Sequence, residues 1–149
     1  MPQSTSTKGL PEPIFYADEN FGSAFISSLR VNGNLQVRAA RDFFAGQDDV
    51  IWIPAVASNG WTAITKDLLE DNLEEQVALM SCGAKVFMLI GRATDEERAI
   101  LFLRKIKWVR KQIATRDEAF LGKIYMRGGA TAVVTLTEFC SRSRRRWGR

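Results

Sequence analysis

Histidine is absent from the 149-residue sequence, and its absence excludes whole classes of enzyme. Ser-His-Asp and Cys-His nucleophile systems, HExxH metalloproteases and most catalytic zinc sites need an imidazole as base or ligand. The phosphate-binding patterns GxxxxGK[ST] and GxGxxG after a strand are also missing, so nucleotide binding of those kinds has no support. Any hydrolytic chemistry must therefore come from carboxylates, Lys, Tyr or a hard metal ion held by oxygen ligands.

Cysteine is scarce, and long apolar runs are lacking. Cys82 and Cys140 lie far apart and outside any CxxC pattern, which predicts two reduced thiols, with Cys82 packed, and no disulfide framework or zinc site. No apolar stretch approaches the length of a membrane span, and the chain does not open with a basic region followed by an apolar block. We therefore expect a cytoplasmic protein without a membrane segment or secretory signal.

Length and composition predict one globular domain between two tails. A chain of this length, 46% hydrophobic and 10% aromatic, can fill one core. Residues 1–13 are rich in Ser, Thr and Pro and are expected to form a disordered tail. The domain is expected over residues 14–138, and residues 139–149 form a basic, arginine-rich tail.

Strands and helices alternate along the predicted domain. Apolar and alternating runs predict strands at residues 14–17, 35–40, 61–65 and 85–90, and a terminal hairpin of residues 122–127 and 131–136 around two glycines. Helical spacing predicts helices over residues 21–31 and 68–82, and one long helix from the capping box at Thr94 through Ile113. A short helix is also expected over residues 50–57, because an aspartate at its start can cap it and a proline is tolerated in a first turn. The alternation predicts an α/β fold with a mostly parallel sheet covered on both faces.

Carboxylates recur where predicted strands end. Asp18 follows the first strand, Asp67 follows the third, and Asp49 stands at the start of the helix between them. Because the carboxyl ends of parallel strands converge at one edge of a sheet, the three side chains are expected near one ion. Hard oxygen ligands of this kind suit Mg²⁺ or Mn²⁺. The structural alternative is that Asp18 caps the following helix, and that the other two carboxylates do the same for theirs.

These residues also resemble a known family, the PIN-like ribonucleases, and in particular the small VapC-type toxin and DUF5615-like domains. The resemblance covers residues 14–136 and rests on short motifs in a fixed order. The motifs are Asp18-Glu19-Asn20 after the first strand, Asp49 with Trp52 and Gly60-Trp61, Thr65-Lys66-Asp67, and Glu75-Gln76-Val77-Ala78-Leu79. The fold implied is a PIN-like three-layer α/β/α sandwich with a central, mostly parallel sheet and a C-terminal strand pair.

The resemblance implies an Mg²⁺- or Mn²⁺-dependent endoribonuclease in which Asp18, Asp49 and Asp67 hold the metal, while Asn20 and Glu75 complete or orient the site. Many relatives carry a second acidic residue where this chain has Leu69. Either Asp71 substitutes for it, or the site holds one metal, or activity is weak. Toxin-type members pair with an antitoxin protein and often dimerise, so both partners are expectations here.

The net charge of the whole chain is +4, and its positive charge is concentrated in the C-terminal half. Basic side chains supply nonspecific nucleic-acid affinity by neutralising phosphates, and Trp147 is an aromatic residue that could stack on a base. The alternative is a solvated helix face followed by a disordered tail that happens to contain a tryptophan. The candidate RNA-binding residues are Lys66, Arg104, Lys107, Lys111, Arg144, Arg145 and Arg146.

Two other functions compete with the nuclease. A noncatalytic RNA-binding or protein-interaction module could keep the fold with a degraded site, and Leu69 favours this hypothesis. A flavodoxin-like or receiver-type regulatory domain also places acidic residues at strand ends. Such a domain needs a lysine near the end of its last strand, however, and Lys85 stands at the beginning of its own.

Overall fold

The protein folds around one six-stranded sheet. The structure, a computed structural model, describes residues 12–18, 20–40, 49–66 and 82–135, and at residues 49–52 it describes the backbone alone. The sheet order is β2-β1-β3-β4-β5-β6, and every neighbouring pair is parallel except β5 and β6. This confirms the predicted α/β class and the terminal strand pair. The strands are β1 (Ile14–Ala17), β2 (Gln36–Ala39), β3 (Thr62–Thr65), β4 (Lys85–Ile90), β5 (Phe120–Tyr125) and β6 (Thr131–Thr135).

Helices cover both faces of this sheet, which gives the three layers. Alternate side chains of a strand point to opposite faces, so Phe15 of β1 and Phe87 of β4 enter the core beneath α1, α3 and α4. Tyr16 and Met88, their neighbours in sequence, enter the second core beneath α2. The helices are α1 (Ser23–Val31), α2 (Asp49–Ser58), α3 (Asp95–Arg104) and α4 (Ile106–Thr115).

Strand β4 lies at the centre of the sheet, as its uniformly apolar sequence predicts. It pairs with β3 on one side and with β5 along its whole length on the other. Phe87 is opposite Gly122 in that pairing, and the Phe87 ring packs edge-on against the rings of Trp108 and Phe120. The absence of a side chain at Gly122 therefore leaves room for the largest ring of the central strand.

The buried face of α1 differs slightly from the predicted one. Phe25 and Leu29 are fully buried as expected, and Phe21 is buried just before the helix begins. Ala24 is exposed, however, and Ile26 is buried in its place. The helix begins at Ser23, two residues later than predicted, and its sheet-facing side is set by the larger side chain.

The long helix predicted after Thr94 is wrong, because the structure has two helices. The capping box forms as predicted: Thr94 Oγ1 accepts from Glu97 N at 3.1 Å, and Glu97 Oε1 accepts from Thr94 N at 2.8 Å. Lys105 then leaves helical geometry, with φ −98° and ψ 10°, and joins α3 to α4. The break lets both Phe102 and Val109 be fully buried, and no Gly or Pro marks it in the sequence.

Proline and glycine have clear positions in the remaining elements. Pro54 lies inside α2, beyond the first turn in which a proline was expected to be tolerated. Gly128 and Gly129 both have positive φ, 84° and 71°, in the predicted hairpin turn. Cys82 is helical and is followed by Gly83 at φ 72°, which fits the predicted end of the helix over 68–82. Residues 68–81 of that predicted helix lie outside the described residues, as do residues 1–11 and residues 136–149, which include the predicted basic tail.

Among the described helices, none is long and apolar enough to cross a membrane. Cys82 is a reduced thiol, partly buried against the core beneath α2. Burial raises the pKa of this thiol, so it stays protonated at neutral pH. This agrees with the predicted packing of Cys82.

Candidate active site

Asp18 is the centre of the candidate site. It directly follows β1, and its side chain and backbone are buried, with 4% of the residue exposed. Its backbone N–H donates to Ile64 O of β3 at 3.2 Å, so the pairing of β1 with β3 extends to the base of the carboxylate. A buried carboxylate is costly unless it is hydrogen-bonded or bound to a cation, so this position requires specific partners.

Two hydrogen bonds fix the orientation of the Asp18 carboxylate. Oδ1 accepts from the backbone N of Asn20 at 2.9 Å, and Oδ2 accepts from Oγ1 of the fully buried Thr65. The first bond is local and closes an Asx turn. The second crosses from β1 to the end of β3, so both strand ends build the site. Asn20 thus orients Asp18 through its backbone, while its side chain is exposed.

The alternative in which Asp18 caps α1 is wrong. The N-cap of α1 is Gly22, which has no side chain to accept a helical N–H, and the helix begins at Ser23. The carboxylate of Asp18 is used on Asn20 and Thr65 instead. Asp18 therefore links the ends of β1 and β3 and does not cap α1.

The bond from Thr65 leads to a testable prediction. Thr65→Val keeps the shape of the side chain but removes the hydroxyl donor, leaving the buried Asp18 carboxylate less well solvated and less well fixed. We expect the free energy of unfolding to fall by about 1–3 kcal/mol, and any activity that depends on Asp18 to fall about 10–100-fold. Thr65→Ser retains the hydroxyl and should retain most of both, as measured by urea unfolding and turnover.

Helix α2 brings Asp49 to the same edge of the sheet. The helix returns through a tight turn into β3, with Trp61 N donating to Val56 O at 3.0 Å, and Ile53 and Val56 pack against the sheet. Since α2 runs antiparallel to β3, its first residue, Asp49, lies toward the carboxyl end of β3. The side chain of Asp49 lies outside the described part of the structure.

The remaining acidic candidates, Asp67 and Glu75, lie outside the described residues, as do Leu69 and Asp71. Asp67 follows Lys66, the last described residue after β3. Within the described residues, no group of three Asp, Glu or Cys side chains lies close enough to hold a metal ion. The structure therefore places one of the three predicted ligands, Asp18, in full, and one, Asp49, by its backbone.

Asp95 is a residue of this edge that the sequence did not single out. Its Oδ2 accepts from Gly22 N at 2.6 Å, and its Oδ1 lies 3.3 Å from Nη1 of Arg98 and 3.8 Å from Nζ of Lys66. The Lys66 ammonium also lies 5.3 Å from the centre of the Phe21 ring. Asp95 thus joins the start of α1 to the segment after β3 and holds Lys66 beside the strand that carries Thr65. In the sequence alone, Asp95 is one of three acidic residues in the first turn of a predicted helix, with no sign of these contacts.

The other predicted basic residues are spread over the outer surface. Arg104 of α3 and Lys107 and Lys111 of α4 are exposed, whereas residues 144–146 of the tail lie outside the described part. Lys85 starts β4 at the opposite edge of the sheet, as the sequence indicated, and its Nζ donates to Ile113 O at 2.9 Å. Burial lowers the pKa of Lys85, and the Asp117 carboxylate acts in the opposite direction. Lys85 therefore cannot serve a receiver-type site beside Asp18.

The fold and the position of Asp18 define the class of this protein: an α/β domain with an oriented carboxylate at the carboxyl edge of a parallel sheet. A family model described as a PIN-like domain matches residues 13–91, just over half of the chain. The chain therefore belongs to the PIN-like domain family. Comparison with curated proteins and comparison with solved structures each gave no significant match.

Membership brings two general properties. PIN-like domains are generally nucleases, and they typically use divalent metal ions. The described residues suit such an ion, because Asp18 offers a hard oxygen donor that is buried and already oriented. The match ends at residue 91, so α3, α4 and the terminal hairpin lie beyond the part that defines the family here.

Proposed function

We propose that the protein is a metal-dependent endoribonuclease in which Asp18, Asp49 and Asp67 hold Mg²⁺ or Mn²⁺. The observation that carries the proposal is the buried Asp18 carboxylate, fixed by Thr65 and Asn20 at the shared end of β1 and β3. Asp67 comes two residues after Thr65. Asp49 begins α2, which packs on the sheet over the core that contains Tyr16 and Met88. Three acidic residues from three segments match the oxygen-rich donor set that such ions prefer.

The reaction proposed is hydrolysis of a phosphodiester. A water molecule adds to phosphorus, the bond to one ribose oxygen breaks, and that oxygen leaves with a proton, giving one phosphate end and one hydroxyl end. The bound metal supplies charge stabilisation at the phosphate and lowers the pKa of a water. The protein positions the substrate: Lys66, held by Asp95 at 3.8 Å, presents a positive charge to the incoming phosphate at this edge.

The resemblance to VapC-type toxins also suggests a cellular role and partners for the nuclease. We infer that the protein is the toxin of a toxin–antitoxin pair, restrained by a small antitoxin protein, and that it forms a homodimer. The motif order from Asp18-Glu19-Asn20 to Thr65-Lys66-Asp67 supports this inference. Leu69 favours a second candidate, a noncatalytic RNA-binding module. Asp67→Asn separates the two, because it should abolish cleavage in the nuclease and leave RNA affinity unchanged or higher in the module.

Metal removal is the direct test of the nuclease. End-labelled single-stranded RNA should be cleaved by the full chain in the presence of Mg²⁺ or Mn²⁺. Treatment with EDTA should abolish cleavage, because it removes the metal ion that the acidic residues hold. Addition of excess Mn²⁺ should restore cleavage by filling the site again. Cleavage that continues unchanged in EDTA would contradict the proposed mechanism. RNA bound but never cut under any of these conditions would favour the noncatalytic module.

A further inference from the structure

A concave site lies on α3, next to the ends of β4 and β5. It is a cleft of about 260 Å³, here called the arginine cleft. One wall follows β4, one comes from the outer turns of α3, and Met126 closes it after β5. Its lining residues are Arg92, Ala93, Glu97, Ile100, Leu101, Arg104 and Met126.

The arginine cleft combines positive charge with exposed apolar surface. Ile100 is 53% exposed although it is a large hydrophobic residue, and Met126 is only partly buried. Arg92 and Arg104 are both exposed, and neither makes an ion pair or hydrogen bond with the described residues. The Glu97 carboxylate in the wall already accepts from Thr94 N in the capping box. The cleft therefore carries a net positive charge beside an apolar floor.

The cleft shares the edge of the sheet with Asp18. Arg92 comes shortly after β4, and Asp18 directly after β1, so two strand spacings, about 10 Å, separate them along the edge. Asp95 and Arg98 lie between them. Asp95 approaches Lys66, while Nη2 of Arg98 donates to Gly91 O at 3.3 Å, next to Arg92. Lys66 and Arg98, both paired with Asp95, thus lie between the candidate site and the cleft.

We propose that the arginine cleft is a nucleotide subsite for single-stranded RNA, an inference that rests on the proposed nuclease function. The base lies on Ile100 and Met126, and the guanidiniums of Arg92 and Arg104 contact the flanking phosphates. A volume of about 260 Å³ lies just below the range of about 300–1,000 Å³ that is usual for ligand pockets, and it suits one nucleotide better than a peptide segment. The cleft holds RNA a few nucleotides from the phosphate beside Asp18 and so sets which bond is cut.

The test measures RNA binding separately from cleavage. A fluorescein-labelled oligouridylate of about ten nucleotides is titrated with the full chain carrying Asp18→Asn, in EDTA, over a range of salt concentrations. Arg92→Gln and Arg104→Gln are added singly to this background. The matched control is Arg110→Gln, which removes one charge from α4 near Glu12, at the other edge of the sheet.

Each cleft arginine substitution should weaken binding about five- to tenfold and reduce the salt slope by about 0.7, the contribution of one phosphate contact to a single strand. Ile100→Ala should weaken binding roughly fivefold without changing the slope, because it removes only apolar contact. Arg110→Gln should change the affinity less than about twofold.

Two results would overturn the subsite and are distinguishable from failure of the nuclease. Wild-type protein that cuts RNA, together with cleft variants that bind like the control, would show that the nuclease stands and that the cleft arginines do not bind the RNA. RNA affinity lost equally in the cleft and control variants would show only a general charge effect. Binding lost in the cleft variants, with no cleavage by the wild type, would support the subsite and reject the nuclease.

Discussion

Asp18→Asn should abolish RNA cleavage while leaving the fold intact. The substitution removes the negative charge that a divalent ion requires. Loss of a residue that only orients a metal ligand lowers activity roughly 10–100-fold, and we expect turnover to fall by more than this. Asparagine has nearly the same shape, and its two polar atoms can satisfy both present partners. The amide oxygen can accept from Asn20 N, and the amide nitrogen can donate to Thr65 Oγ1, because a hydroxyl also accepts.

A matched control separates the charge of the site from the charge of the protein. Asp117→Asn makes the same chemical change in an exposed residue before β5, at the amino edge of the sheet. Turnover should be unchanged in this variant, which should also unfold within about 0.5 kcal/mol of the wild type. Equal turnover in Asp18→Asn and the wild type would remove Asp18 from the catalytic site.

Gly122→Ala should be among the most destabilising single methyl additions in the sheet. A Cβ on Gly122 would lie 2.5 Å from Cδ1 and 2.6 Å from Cε1 of Phe87, its partner across the β4–β5 pair. The Phe87 ring cannot easily retreat, since Trp108 and Phe120 pack against it at ring-centre distances of 5.8 and 5.4 Å. We expect the free energy of unfolding to fall by about 3 kcal/mol, the upper end for overpacking, and the Tm by about 10 °C.

A second substitution tests the cause of that loss. Phe87→Leu removes the ring atoms that a new methyl group would meet, so it should be less harmful in the Gly122→Ala background than in the wild type. A double-mutant cycle in urea should give a favourable coupling of about 1–2 kcal/mol. Additive effects of the two substitutions, or a Gly122→Ala protein as stable as the wild type, would show that the sheet relaxes around the added methyl.

Much of the fold followed from patterns that report on local physics. The apolar run of β4 predicted a central strand, the capping box at Thr94 predicted the start of a helix, and two adjacent glycines predicted the hairpin turn. The break at Lys105 escaped prediction because α3 and α4 present one continuous apolar stripe. Only the packing of both helices on the sheet decides where the backbone must turn.

The parts of the candidate site that stand at the ends of recognisable strands could be predicted from the sequence. Asp18 stands at the end of an obvious strand, and Thr65 stands at the end of another, so parallel pairing brings them together. The contacts of Asp95 with Gly22 and Lys66 join residues far apart in the sequence, and no periodicity signals them. The arginine cleft was missed for the same reason: Arg92 and Met126 meet only because β4 and β5 are neighbours.

The most direct test of the account is a calorimetric titration of Mn²⁺ into the full chain, because metal binding requires no knowledge of the RNA substrate. We predict saturable binding to the wild type and to Asp117→Asn, and its loss in Asp18→Asn with the fold retained. Mn²⁺ binding by Asp18→Asn with wild-type affinity, or no saturable binding by the folded wild type, would contradict a carboxylate metal site at the end of β1.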